Sequence, residues 1–269
     1  MSDKNINSTI FAKEVSSLKG KNMIAVVSGH RNSGKTWFSI NLAQALSLFK
    51  QKVILFDGDY GLNNSKAQLG LYDINDLDKV IYGNSSLNQV IYNYDKGRFD
   101  IIAGASGSSG LATMSIGRLQ IFGDDLNIVA KSYDKMIVDI SSGLSNPAKV
   151  MSGMCQSIIV VCNDDPQSII RNYSLIKIIS SHHPDTDINI VINQANNIEE
   201  GQRTYQTLNK ACNEFLKNKQ KLLGIIRQDA RVRDSIRNQS TIISRYPQSE
   251  AAQDIIAIAQ RILKNEQYN

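Results

Sequence analysis

The chain has 269 residues, 42% of them apolar and 20% charged, with a formal net charge of +5. This is the composition of a globular protein and excludes a disordered chain, while the mild basic excess permits anionic partners without demanding them. No apolar run approaches the roughly 18 residues a membrane-crossing helix needs, and Met1-Ser2-Asp3-Lys4 opens no secretory signal. Cys155, Cys162 and Cys212 lie far apart without metal-ligand spacing. They are read as reduced thiols of a cytoplasmic protein, with Cys162 in the core.

In chain order, residues 1–20 read as an N-terminal helical extension. Ile6, Ile10, Phe11, Val15 and Leu18 fall on one side of a helix that either docks on its own domain or binds a partner. Short apolar runs then alternate with amphipathic segments. Strands are predicted over 23–28, 52–56, 100–103, 135–139, 157–162, 188–193 and 222–226, and helices over 35–48, 168–180, 202–217 and 250–264. Most strands are continuous β-branched runs, as strands covered on both faces should be. Four prolines, no low-complexity linker and no internal repeat leave residues 21–269 as a single domain. The predicted fold is α/β: a doubly wound, mainly parallel sheet flanked by helices.

The first predicted strand runs into Gly29-His30-Arg31-Asn32-Ser33-Gly34-Lys35-Thr36, which satisfies G-x-x-x-x-G-K-[ST], and a predicted helix follows from Lys35 through Trp37. Such a loop turns its backbone N–H groups onto phosphates at a helix N-terminus. Lys35 would reach the β- and γ-phosphates of ATP, or the β-phosphate of ADP, and the Thr36 hydroxyl would take a place on Mg²⁺. One strand later Asp57-Gly58-Asp59 puts two carboxylates at a strand's carboxyl end, the edge where doubly wound sheets bind ligands. Met136-Ile137-Val138-Asp139 has the form of a metal-binding Walker-B strand, and Ser141-Ser142-Gly143 after it suits a phosphate-sensing switch. An apolar run ending in Asp is weak alone; the glycine loop and the two acidic strand ends, at three strand ends, support one another. Arg227, Arg231, Arg233 and Arg237 read as a solvated basic face, with a DNA or lipid contact as the alternative. In the last helix Ala252, Ile255, Ile256, Ala259, Ile262 and Leu263 share one side. It reads as a core helix and not a membrane-lying one, whose polar face would be more basic.

At these residues the sequence resembles the MinD/ParA family of P-loop ATPases, and within it the FlhG branch, MinD-like regulators of flagellar number and placement. Asp57 to Asn64 is similar to the family's D-x-D-x-G-L-x-N switch, Leu69-Gly70-Leu71 to the L-G-L that follows, and Tyr133 to Asp139 to its Walker B. Ala105-Ser106-Gly107, Asp165 to Ile169, Leu223 to Ile226 with Asp229, and Tyr246-Pro247-Gln248-Ser249 are similar to further family segments, so the likeness spans nearly the whole chain.

The resemblance implies an ATP-binding, slowly hydrolysing switch and assigns Asp59 and Lys35 to catalysis. Phosphate and base contacts fall to residues 29–37 and to Asn193, and Thr36, Asp57 and Asp139 surround Mg²⁺. It also implies an ATP-dependent homodimer with protein partners in a polar or flagellar assembly; with the last helix read as core, recruitment to the membrane or cell pole would fall to a partner. Three departures stand out. The family loop reads K-G-G-x-G-K-T, and its first Lys crosses to the partner's nucleotide. Here that position is His30, the next two glycines are Arg31 and Asn32, and Arg31 is the cation that could take over the crossing. Arg227 and Asp164 stand where prolines are usual. The rival readings are a non-hydrolysing nucleotide-binding scaffold, motivated by His30, and a ParA-like DNA-partition or pilus-assembly ATPase, with DNA not favoured.

Overall fold

The computed structural model describes residues 20–59, 64–75, 77–104, 110–143, 145–184, 186–216 and 220–267. Residues 1–19 of the expected N-terminal helix, Tyr60 to Asn63 of the expected switch, and Ala105-Ser106-Gly107 lie outside the described residues.

One eight-stranded sheet organises the chain, in the order β3-β4-β2-β5-β1-β6-β7-β8. Its strands are β1 (Gly20–Val27), β2 (Val53–Gly58), β3 (Ile91–Tyr94), β4 (Phe99–Ile102), β5 (Lys135–Ile140), β6 (Cys155–Cys162), β7 (Asp187–Ala195) and β8 (Lys221–Arg227). Every pairing is parallel except β3 with β4. The chain winds outward in both directions from β1, which pairs with β5 on one side and β6 on the other. The loop after β1 therefore opens at the point where the winding reverses, the place such sheets reserve for ligands.

Side chains alternate across the sheet and both faces are buried. Met23, Ala25 and Val27 join one apolar core, while Ile24 and Val26 join the other. The first core is covered by the helices Ile116–Ala130, Asn146–Gly153, Pro166–His182 and Ile198–Leu216. The second is covered by Lys35–Leu48 and Glu250–Gln267, which pack on each other and on the sheet. Lys35 to Leu46 is buried without interruption, a helix enclosed on all sides.

Two differences from the predicted elements have plain causes. The seven predicted strands become eight because Ile91–Tyr94 forms an antiparallel edge strand. It has only four residues, the middle two exposed, so it carries no buried run to betray it. The helix Ile116–Ala130 was not predicted, and it presents Ile121 and Ile128 to solvent, which blurs its apolar period. The last helix is a core helix as expected, with Ala252, Ile255, Ala259 and Ile262 buried. Among the described residues no helix is long and apolar enough to cross a membrane. All three cysteines are free and buried.

Candidate functional site

The site begins with a helix that lacks a cap. The helices starting at Ile116, Asn146, Pro166, Ala230 and Ile242 each have a Ser, Asp or Thr side chain accepting from a first-turn N–H. The helix Lys35–Leu48 has Gly34 at that position and no side-chain cap. Its first amides are therefore left for a ligand, and the helix dipole favours an anion there.

The loop ahead of it is held from below by β7 and the helix Pro166–His182. Asn172 Oδ1 accepts from Gly29 N at 2.8 Å, and Asn193 Nδ2 donates to Ser33 O at 2.8 Å. These contacts explain both glycines. A Cβ on Gly29 would stand 2.4 Å from the Arg171 carbonyl oxygen. Gly34 sits at φ +80°, where a Cβ would lie 2.2 Å from Asn193 Nδ2. Between them Arg31 and Asn32 are exposed, so their side chains do not crowd the loop. Asn32 adopts φ +61°, the left-handed conformation that Asn tolerates best among residues with a side chain. It can thus fill a glycine position at small cost. His30 folds back: its Nε2 stands 3.7 Å from Asp165 Oδ2, and its Nδ1 is buried without a partner. Among the described residues Arg31 has no ion-pair partner.

Beneath the loop lies a charge cluster. Lys35 Nζ, 3% exposed, donates to Asp139 Oδ1 at 2.8 Å and to Asp59 Oδ2 at 3.2 Å, and approaches Thr36 Oγ1 at 3.4 Å. Ser39 Oγ donates to the same Asp139 oxygen at 3.1 Å. Burial works against the Lys35 ammonium, but the charges of Asp139 and Asp59 outweigh it and hold the pKa above the ordinary lysine value. Asp57 and Asp139 face each other in register on β2 and β5. Burial, then the charge of Asp139, pushes the Asp57 carboxyl up to about 7, against the hydrogen bonds from Ser65 and Asp59 N. Burial likewise raises Asp139, opposed by the Lys35 ammonium.

Three carboxylates around one ammonium leave the pocket short of positive charge. Asp139 Oδ2 is buried with no hydrogen-bond partner, as is the hydroxyl of Ser141 two residues on. Hard oxygen donors with an unspent carboxylate oxygen suit a magnesium ion better than a soft metal. Were magnesium bound here, Thr36, Asp139 and Asp59 would be the residues to hold it or its waters. The third expected metal residue, Asp57, is committed elsewhere: Oδ1 accepts from Asp59 N, and Oδ2 from both the N–H and the hydroxyl of Ser65.

The structure thus brings Gly29, Gly34, Lys35, Thr36, Asp57, Asp59 and Asp139 to one sheet edge. Asn193 meets them through the loop backbone, its amide nitrogen spent on Ser33. Trp37 is buried in the core, with its indole Nε1 unpartnered. The sequence reading missed Ser39, Ser65 and Asn172, which orient Asp139, Asp57 and Gly29. Asn172 could have been suspected, as a polar residue amid Ile169, Tyr173 and Ile176 on an inward helix face.

An uncapped helix, a glycine-ended loop and buried acids at a sheet's switch point define a P-loop nucleotide-binding protein. Comparison narrows the class: residues 24–242 match the CbiA family, described as the CobQ/CobB/MinD/ParA nucleotide binding domain, and the chain belongs to it. It is 30% identical over 254 residues to the antiactivator FleN of Pseudomonas aeruginosa, covering 93% of this chain and 89% of FleN. It is 27% identical over 238 residues to the flagellum site-determining protein YlxH of Helicobacter pylori, covering 88% and 80%. The fold matches the septum site-determining protein MinD complexed with Mg-ADP from Pyrococcus horikoshii at a TM-score of 0.76 and 22% identity, over 92% of this chain and 98% of MinD.

The departures from the family pattern have local explanations. Arg227, standing in for a turn proline, donates from Nε and Nη2 to the two Asp254 oxygens and pairs with Glu250, tying the turn to the last helix. Arg231 pairs with Asp229. Two of the four arginines read as a basic face are therefore neutralised by neighbours.

Proposed function

We propose that this chain is an ATP-binding, Mg²⁺-dependent switch with slow hydrolysis, controlling the number or placement of a polar structure, the flagellum before others. The observation that carries the reading is the buried cluster of Lys35, Asp59 and Asp139 beneath an uncapped helix, in a chain whose relatives include FleN and YlxH. Lys35 leaves its two carboxylates to meet the β- and γ-phosphates, so nucleotide entry and rearrangement of Asp59 are one event. Asp59, 24% exposed at its side chain, is the carboxylate that orients a water against the γ-phosphate. Mg²⁺, when bound, neutralises phosphate charge beside Thr36 and Asp139. Asn193 offers its amide oxygen to the base while its nitrogen keeps the loop.

The ATP state is a homodimer in which Arg31, free at the loop tip, reaches the partner's phosphates in place of the family lysine. The chain acts through protein partners in the cytoplasm, and membrane or pole recruitment is theirs. The ATPase unit is a single domain whose first strand, β1, starts at Gly20.

Phosphate release and size-exclusion chromatography with ATP, ADP or no nucleotide test the reading. Asp59→Ala should abolish release and retain ATP; hydrolysis surviving unchanged removes the catalytic assignment. One observation favours a second reading, the non-hydrolysing scaffold: His30 turns back onto Asp165 of its own chain. A nucleotide-independent monomer without phosphate release would decide for it.

A further inference from the structure

β7 does not end as a regular strand. Ile192 pairs with Ile225 and Ala195 with Arg227, so β7 spends three steps where β8 spends two, and one residue of β7 is extra. The backbone absorbs it at Gln194, whose φ is +60°. Left-handed φ at a residue with a long side chain carries strain and persists only where the surroundings require it. Bulges next to functional sites commonly re-aim a side chain.

Here the re-aimed side chain is Gln194 itself. Neighbours in a regular strand point to opposite faces. The extra residue cancels that alternation, and Asn193 and Gln194 both reach the phosphate loop. Asn193 Nδ2 donates to Ser33 O at 2.8 Å and Gln194 Nε2 to Asn32 O at 3.4 Å. Asn163 Nδ2, at the end of β6, donates to Gln194 Oε1 at 3.3 Å, which fixes the orientation of the glutamine amide. Two consecutive side chains thus hold two consecutive carbonyls. In a planar trans peptide the carbonyl of one residue and the N–H of the next point in opposite directions. Drawing Asn32 O and Ser33 O toward β7 therefore turns the N–H groups of Ser33 and Gly34 away from it, as a phosphate-binding loop requires.

We propose that Gln194, together with Asn193, is a positioning residue for the nucleotide phosphates. The strained bulge is retained because it lets a second amide shape a loop in which Arg31 and Asn32 stand where glycines would bend freely. The inference rests on the nucleotide-binding reading above and can be tested apart from it.

Gln194→Gly removes the amide and relieves the backbone; Gln194→Asn keeps the amide and a residue tolerant of left-handed φ, but shortens its reach. Hydrogen exchange over residues 29–36 without nucleotide, melting temperature, and Mg-ADP affinity by calorimetry are measured for each. Both variants should melt no lower than the parent, exchange the Ser33 and Gly34 amides faster, and bind Mg-ADP roughly fivefold more weakly, the effect of one neutral hydrogen bond. Unchanged exchange at those amides, or unchanged affinity in the Gly variant, overturns the proposal. So does a loss of stability that parallels the loss of affinity, which would mark Gln194 as merely structural. A parent protein that fails to bind Mg-ADP, and so matches Lys35→Ala, defeats the nucleotide reading instead, while the exchange result still judges the clamp.

Discussion

Asp57 and Asp139 are the same residue type, fully buried, and paired in register on adjacent strands, yet their surroundings give them different work. Asp57 spends both oxygens on the loop that follows it, through Asp59 N and two donors of Ser65. Asp139 gathers Lys35 and Ser39 onto Oδ1 and leaves Oδ2 bare. A carboxylate with both oxygens committed is a structural anchor. One with an unsatisfied oxygen in a buried, acid-rich pocket is open to a cation, because leaving it unpaired costs free energy.

The largest effect tests what the two acids share. Lys35→Ala strips both Asp139 and Asp59 of their cation, and breaking a buried pair in this way should cost about 3–5 kcal/mol of stability. Denaturant unfolding without nucleotide measures this, and Mg-ADP binding should vanish in the same variant. A protein as stable as the parent would mean that the cluster is not closed in solution.

Asp139→Asn and Asp57→Asn separate the pair. The first should remove the advantage Mg²⁺ gives to ATP binding, leaving similar affinities in magnesium and in EDTA. The second should preserve most of that advantage. Equal losses in calorimetry would erase the distinction drawn between them.

A third test uses protons. The Asp57 pKa is raised from 3.8 to about 7, so the folded state holds a proton that the unfolded chain releases between these values. Stability from this group is therefore present at low pH and falls as pH rises from about 4 to about 7. Asp57→Asn lacks that slope and should gain on the parent across this window, then run parallel above it. A stability difference independent of pH would place the proton elsewhere.

Ser65→Ala should have the smallest effect. It deletes one hydroxyl donor to a buried carboxylate while the Ser65 N–H remains, a loss of about 1.5–3 kcal/mol for a charge-assisted bond. Nucleotide affinity should change less than in Asp139→Asn.

The parallel strands were legible because each is a β-branched run covered on both faces, as in Ile158 to Cys162. The edge strand Ile91–Tyr94 was not, since half of it faces water and nothing in four residues separates it from a loop. The same division runs through the site. Gly29, Gly34, Lys35 and Thr36 sit at a spacing that few other chemistries require, and Asp57 and Asp139 each close an apolar run, with Asp59 two residues after the first. Asn172, Ser39 and Ser65 act across sequence gaps of 143, 100 and 8 residues, and no local pattern announces such partners.

The sequence by itself determined the fold class, the phosphate loop and the acids beside it, because these depend on local spacing and on periodic burial. Tertiary structure alone decided how those groups are employed: which carboxylate oxygen is spent and which is bare, that His30 turns inward while Arg31 stays free, and that Asn32 and Gln194 take left-handed backbones. The physical reason is that hydrogen-bond satisfaction and desolvation belong to an assembled neighbourhood. Two aspartates with similar flanks acquire different roles only once the strands and loops around them have closed.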